Sequence, residues 1–247
     1  MIYIHKAAEP FFLNGNTEKA VLFLHGLTGS PSEVLPAAMH LNQHYGYTIS
    51  GPLLPGHGSH PRFLNQTVWQ DWYATVAEEL NYLLSSYKKV WVAGLSMGGL
   101  LALHAARQIS GLQGAISINA PYYPRGSILM RFTHILKHIV PYSKKRNSEQ
   151  VGALAARGRF AYGVMPLSAF DSMMDLRNIV KEEVPDISIP VLIMQGSRDE
   201  VVWPKSGKQL AAMIPGTSLI LLENSQHIAT MGEEIALIAR AIKEFAK

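Results

Sequence analysis

Val90-Trp91-Val92-Ala93-Gly94-Leu95-Ser96-Met97-Gly98-Gly99 is the stretch on which the reading of this chain turns. Val90 to Ala93 are apolar, β-branched or aromatic, the composition of a strand buried on both faces of a parallel sheet. After Ser96, leucines at 100, 101 and 103 and alanines at 102, 105 and 106 favour a helix that Ser110-Gly111 would end. A serine held between strand and helix has a strained backbone and tolerates only very small neighbours two residues to either side, which accounts for Gly94 and Gly98. That turn presents the hydroxyl clear of the sheet, at a helix N-terminus whose free N–H groups favour negative charge. Ser96 is therefore the candidate covalent nucleophile. The Gly-x-Ser-x-Gly pattern alone is weak: 19 serines and 20 glycines in 247 residues give roughly 0.12 chance matches, so the strand and helix around it carry the assignment.

Outward from this turn, apolar strand-like runs alternate with amphipathic helix-like stretches, which predicts an α/β fold with a mostly parallel sheet covered on both faces. The expected strands are 20–24, 47–50, 90–93, 115–119, 191–195 and 218–222. Thr67-Val68-Trp69-Gln70 has the form of a capping box, followed at helical spacing by Trp69, Trp72, Tyr73, Val76, Leu80, Leu83 and Leu84. This aromatic stripe is read as core packing. Pro204 suits the first turn of a helix running to Ile214, and Met231, Ile235, Ile238, Ile242 and Phe245 mark a last helix.

The length allows one large α/β domain with an inserted subdomain, and with 48% hydrophobic and 16% charged residues the chain is globular. No signal-peptide pattern opens the sequence and no apolar run of about 18 residues occurs, so a cytoplasmic protein without stable membrane insertion is expected. With no cysteine, thiol catalysis is excluded. The net charge of +4 sits between Pro121 and Ser188, where ten Lys or Arg face six Asp or Glu. That excess is too small to argue for nucleic acid as a partner.

A serine hydroxyl needs a base. Of ten histidines, His227 stands out because it follows the last expected strand, on a loop at the carboxyl edge where active sites of open α/β sheets collect. The imidazole needs an acid to fix its tautomer, and Asp199 and Glu200 both lie on the loop after 191–195. Two backbone N–H groups should form the oxyanion hole: that of Met97, directly after the nucleophile, and that of Leu27, on the loop after the first parallel strand. The Leu27 side chain would line the acyl pocket. His25 and His57 are read as residues that order loops, the latter flanked by Gly56 and Gly58.

Taken together, Leu24-His25-Gly26-Leu27-Thr28-Gly29, Pro55-Gly56-His57-Gly58, Gly94-Leu95-Ser96-Met97-Gly98-Gly99, Ile118-Asn119-Ala120, Asp199-Glu200-Val201-Val202 and Ser225-Gln226-His227-Ile228-Ala229-Thr230 give the chain a family likeness. It resembles the bacterial carboxylesterase and monoacylglycerol lipase branch of the α/β-hydrolase superfamily. The resemblance implies a compact core (1–120 and 189–247), a small helical cap (121–188) after the sixth strand, and no cofactor or metal. It selects Asp199 over Glu200, giving a triad of Ser96, Asp199 and His227 with Leu27 and Met97 as oxyanion donors. Leu27 stands where phenylalanine is common, which would leave the hole intact and reshape the acyl pocket. The implied chemistry is two-step hydrolysis of small-molecule esters, short-to-medium-chain or monoacylglycerols. An acyltransferase or perhydrolase would keep the same triad, and a non-catalytic binding member of the fold would usually lose one of its residues.

Residues 121–188 are long for a connection in such a sheet and should fold over the site. Ile128, Leu129, Phe132, Ile135, Leu136, Ile139 and Val140 form an apolar stripe opposite Arg131, His134, Lys137 and His138. The expected packing puts the stripe over the cleft as its roof; the alternative is transient contact of this basic amphipathic segment with a lipid surface. Lys144-Lys145-Arg146 reads as a solvated charge run.

Overall fold

The computed structural model describes residues 3–125, 133–145 and 149–247. Its strands are β1 (Phe11–Leu13), β2 (Lys19–Leu24), β3 (Thr48–Gly51), β4 (Lys89–Leu95), β5 (Gly114–Ile118), β6 (Tyr142–Lys144), β7 (Val164–Pro166), β8 (Val191–Gly196) and β9 (Ser218–Leu222). Its helices are α1 (Leu35–Tyr45), α2 (Pro61–Leu64), α3 (Trp69–Ser86), α4 (Met97–Gln108), α5 (Thr133–Leu136), α6 (Glu149–Ala156), α7 (Leu167–Glu183), α8 (Lys205–Met213) and α9 (Ile235–Phe245).

Seven strands form one sheet in the order β1-β3-β2-β4-β5-β8-β9, parallel except for β1, which pairs antiparallel with β3 at the edge. Its central strands are buried along almost their whole length, because helices cover both faces: Ala20–Leu24 of β2 and Val90–Leu95 of β4 are all inside. On one face Leu22, Leu24, Val90 and Val92 meet Trp72, Val76 and Leu80 of α3, Leu100 and Leu103 of α4, and Leu176 and Val180 of α7. On the other, Val21, Phe23, Trp91 and Ile116 meet Ala38 and Leu41 of α1 and Ile238 and Ile242 of α9. The aromatic stripe of α3 is thus core packing. Among the described residues no helix is long and apolar enough to cross a membrane.

At α3 only the carboxylate half of a capping box forms, and one residue later than its sequence form, with Val68 at the N-cap. Val68 N–H donates to Asp71 Oδ2 at 2.9 Å, while the Thr67 hydroxyl is taken by the indole of Trp72 (2.9 Å) and the Leu64 carbonyl (2.9 Å). Burying Trp72 requires a partner for its N–H, and Thr67 supplies it.

In the strand order of this chain the insertion follows β5, since only the short β1 precedes β2. It is not purely helical: β6 and β7 pair antiparallel as a ribbon. α7 packs into the main core through Leu167, Phe170, Met173, Leu176 and Val180. Ser172 Oγ of α7 accepts the Trp69 N–H at 2.8 Å, and His104 Nδ1 of α4 donates to Glu183 Oε2 at 2.7 Å.

In the part that is described, most of the stripe expected to form a roof faces solvent, with Leu136 half-buried. Ile135, Ile139 and Val140 are 61%, 75% and 44% exposed. Lys137 Nζ instead bonds Asp171 Oδ2 of α7 at 2.6 Å, and His134 approaches the same oxygen at 3.2 Å. The ion pair draws Lys137 inward, while His134 and His138 stay exposed beside Ile135, Ile139 and Val140. Ile128, Leu129, Arg131 and Phe132 lie outside the described residues, as does Arg146. The charge run is also corrected at Lys145, which is partly buried and donates to Thr28 Oγ1.

Phe23, fully buried in β2, tests the sheet's packing. Phe23→Ala is expected to destabilise by about 3–5 kcal/mol, read as a lower urea midpoint at unchanged slope.

Candidate active site

Ser96 adopts φ +56° and ψ −118°, in the left-handed half of backbone space where a side chain is strained. Its glycine neighbours permit this: a Cβ on Gly94 would lie 2.0 Å from the Gly98 carbonyl oxygen, and one on Gly98 would lie 2.4 Å from that of Leu24. The strand and helix therefore approach more closely than any alanine would allow.

Three loops at the carboxyl edge bring the expected residues together. His227 Nε2 is 3.0 Å from Ser96 Oγ, and His227 Nδ1 is 2.9 Å from Asp199 Oδ2. The Asp199 carboxylate is 1% exposed, and its Oδ1 accepts the N–H groups of Val201 and Val202, each at 2.8 Å. With both oxygens engaged, Oδ2 is fixed toward the imidazole, Nδ1 carries the proton, and the Nε2 lone pair faces the serine. Glu200 is exposed and takes no part in this chain of bonds.

Met97 stands at the first position of α4, where its N–H has no acceptor within the helix. The Leu27 N–H makes no hydrogen bond among the described residues. Its loop reaches the nucleophile: a Cβ on Gly26 would lie 3.3 Å from that of Ser96. His25 Nε2 accepts the Leu54 N–H at 3.2 Å and its Nδ1 donates to the Gly26 carbonyl at 3.0 Å, tying that loop to the next. His57 Nδ1 donates to the Pro55 carbonyl at 3.0 Å, between Gly56 and Gly58, which have φ of +79° and +76°. Burial lowers the pKa of His25, and burial with His25 beside it puts that of His57 well below the ordinary range. Both rings order backbone as neutral groups.

Asn119 received no role from the sequence beyond its place in a matched block. At φ +50°, its Nδ2 donates to the carbonyls of His227 (2.8 Å) and Gln226 (3.1 Å). Its Oδ1 accepts the Gly196 N–H at 2.7 Å and Gln195 Nε2 at 3.1 Å. One amide thus braces the loop that carries His227 against the strand end that leads to Asp199. The apolar groove between β1 and α3, lined by Phe11, Phe12, Leu53 and Tyr82, has no histidine in its lining, and its Ser50 hydroxyl donates to Glu79 Oε2 at 2.8 Å.

A strained serine on a strand-to-helix turn, with an imidazole and a buried carboxylate at hydrogen-bond distance in the chain order Ser, Asp, His, defines a chain of the α/β-hydrolase fold. The match to a known family is correspondingly broad: residues 15–234 fit the family described as serine aminopeptidase, S33, and the chain belongs to it. It is 30% identical to a thermostable monoacylglycerol lipase of Bacillus sp. (strain H-257), over 97% of this chain and 95% of that protein. It is 27% identical to a carboxylesterase of Bacillus subtilis (strain 168), over 96% and 95%. Among solved structures, one from work on the metagenome-derived lipolytic enzymes LipS and LipT superposes with a TM-score of 0.88 at 28% identity, over 98% of this chain and 99% of that one.

Asn119→Gly keeps the left-handed backbone accessible and removes the amide. We expect kcat for an ester to fall about 10- to 100-fold with a smaller change in KM, measured by steady-state kinetics, because the base and acid lose their common brace.

Proposed function

We propose that this carboxylic ester hydrolase works through an acyl-enzyme formed on Ser96, with His227 as general base and acid, Asp199 as the group that orients it, and Leu27 and Met97 N–H groups receiving the oxyanion. The observation that carries the reading is the unbroken run from Ser96 Oγ through His227 (3.0 Å) to Asp199 (2.9 Å). As Ser96 Oγ attacks the ester carbonyl, Nε2 takes the hydroxyl proton and the buried carboxylate stabilises the imidazolium. The imidazolium returns that proton to the departing alkoxide. Water, deprotonated by the same nitrogen, then attacks the acyl carbon and releases the acid. No cofactor enters either step.

Short-to-medium-chain esters and monoacylglycerols are the proposed substrates, supported by the names of the two full-length Bacillus relatives. Segment 121–188 is the proposed cap, and its geometry is the proposed selector of acyl chain. Mapping a fluorophosphonate adduct by peptide analysis tests the nucleophile: labelling is expected at Ser96 and nowhere else. Ser96→Ala should lower kcat by on the order of 10⁴- to 10⁶-fold. Rates over aryl esters of graded chain length, beside a monoacylglycerol, then define the substrate; uniformly poor rates on all of them would count against the proposed class.

The exposure of Ile135, Ile139 and Val140 favours one addition, transient contact of the cap with a lipid surface. The double change Ile135→Ser and Ile139→Ser is expected to reduce co-sedimentation with lipid vesicles while hydrolysis of a soluble aryl ester continues. Unchanged co-sedimentation would refute this contact.

A further inference from the structure

Beneath the oxyanion loop lies an ion pair that the triad does not use. Glu33 is 1% exposed, and a carboxylate withdrawn from water this far is costly unless paired. Its Oε1 accepts both Nε (2.8 Å) and Nη2 (2.5 Å) of Arg159, which arrives from the segment between α6 and β7. Its Oε2 turns into the loop and accepts the Gly26 N–H at 3.3 Å. It also occupies the space that a side chain on Gly29 would need, since a Cβ there would fall 2.0 Å from Oε2. The carboxylate therefore fills the inner side of the Gly26–Gly29 turn, with Leu27 between the two contacts.

The residues after Arg159 close on the same loop. Phe160 N–H donates to Ser32 Oγ (3.0 Å), Ser30 Oγ–H to the Phe160 carbonyl (3.0 Å), and Tyr162 N–H to the Thr28 carbonyl (2.8 Å). Thr28, a β-branched residue, sits at φ +66°. Such a conformation costs on the order of 1–3 kcal/mol and persists only where surroundings impose it. Lys145 adds a bond to Thr28 Oγ1. Burial, followed by the Arg159 guanidinium, lowers the Lys145 pKa to about 8, with Glu33 opposing. His57, the other titratable group that Lys145 influences, is kept neutral by burial. At neutral pH the cluster thus holds two cations and one carboxylate, leaving a positive charge beside the residue that follows Leu27.

We propose that Arg159, Glu33 and Lys145 are positioning residues for ester cleavage: they hold the Leu27 N–H toward the oxyanion, and their net positive charge favours the negative charge that forms there. The inference rests on the Leu27 and Met97 reading of the oxyanion hole. Electrostatic help of this kind is largest when the charges are fixed before reaction.

The test is kcat and KM on a soluble aryl ester for wild type, Arg159→Lys, Arg159→Met, Glu33→Gln and Lys145→Met, each also labelled with a fluorophosphonate. Arg159→Met and Glu33→Gln are expected to lose about 10- to 100-fold in kcat with KM within a few-fold. Arg159→Lys, which keeps the charge and loses the fork, should recover part of the loss. Lys145, near the surface, decides the matter should the buried pair prove necessary for folding. Wild-type kcat is expected to fall as pH rises through about 8 and the ammonium loses its proton. Lys145→Met should have a lower kcat at pH 7 and no such decline.

Stability should move the other way. The folded pKa lies below the ordinary 10.5, so above pH 8 the unfolded chain holds a proton that the folded chain has released, and this group adds stability as pH rises. A falling kcat with a level or rising Tm between pH 8 and 9 therefore marks catalysis rather than unfolding. Unchanged kcat in folded Lys145→Met, or an alkaline decline that survives in it, overturns the inference while Ser96 still labels. Absence of the wild-type adduct at Ser96 overturns the underlying reading of the site instead.

Discussion

Everything at the carboxyl edge depends on how closely α4 approaches the end of β4. The backbone at Ser96 is bent into a conformation that a side chain resists, and the bend persists because no atom stands at the Cβ positions of Gly94 and Gly98. The strain is spread over a buried strand and a buried helix, both fixed by core packing, so the serine cannot relax without disturbing Val92, Leu95, Leu100 and Leu101. The same bend sets the first residue of α4, Met97, directly after Ser96, so the proposed nucleophile and the proposed oxyanion donor share one structural cause.

The remaining members of the site come from loops, which have no comparable rigidity, and the chain fixes them by mutual bonding. Asn119 ties the end of β8 to the loop after β9, so Asp199 and His227 are set relative to one another before either meets Ser96. On the opposite side His25 ties the loop after β2 to Leu54. A parallel sheet suits this arrangement because consecutive strands deliver their loops to one edge.

Much of this was readable from residue order and periodicity. The buried strands show as apolar runs, α3 and α9 as helical stripes, and the elbow as a serine between glycines where a strand meets a helix. β1 could not be read in the same way: three residues after Pro10, half exposed, have no alternation to count. The expected capping box does not form at Thr67, whose hydroxyl is claimed by Trp72, five residues on. The inward turn of Lys137 could not be foreseen because its partner, Asp171, is on another helix. Asn119, and the Glu33–Arg159 pair whose members are 126 positions apart, are contacts of long sequence separation that carry no local signature. Pattern reveals what each element is; it is silent on which distant polar groups meet.

Arg159, Phe160 and Tyr162 belong by sequence to the insertion but by bonding to the core: each reaches the loop after β2, and Tyr162 also bonds Gly56 and Ser59. The boundary that matters for engineering is therefore not the one drawn where the sheet is left and rejoined. A segment exchanged between related chains at residues 121 and 188 would remove the braces of the loop after β2. Splice points drawn inside, with Lys145 and 159–162 retained, would leave that loop its supports and free the rest of the outer part to vary. The insertion thus contains two modules that a contiguous stretch of sequence conceals, one interchangeable and one belonging to the machinery beneath it.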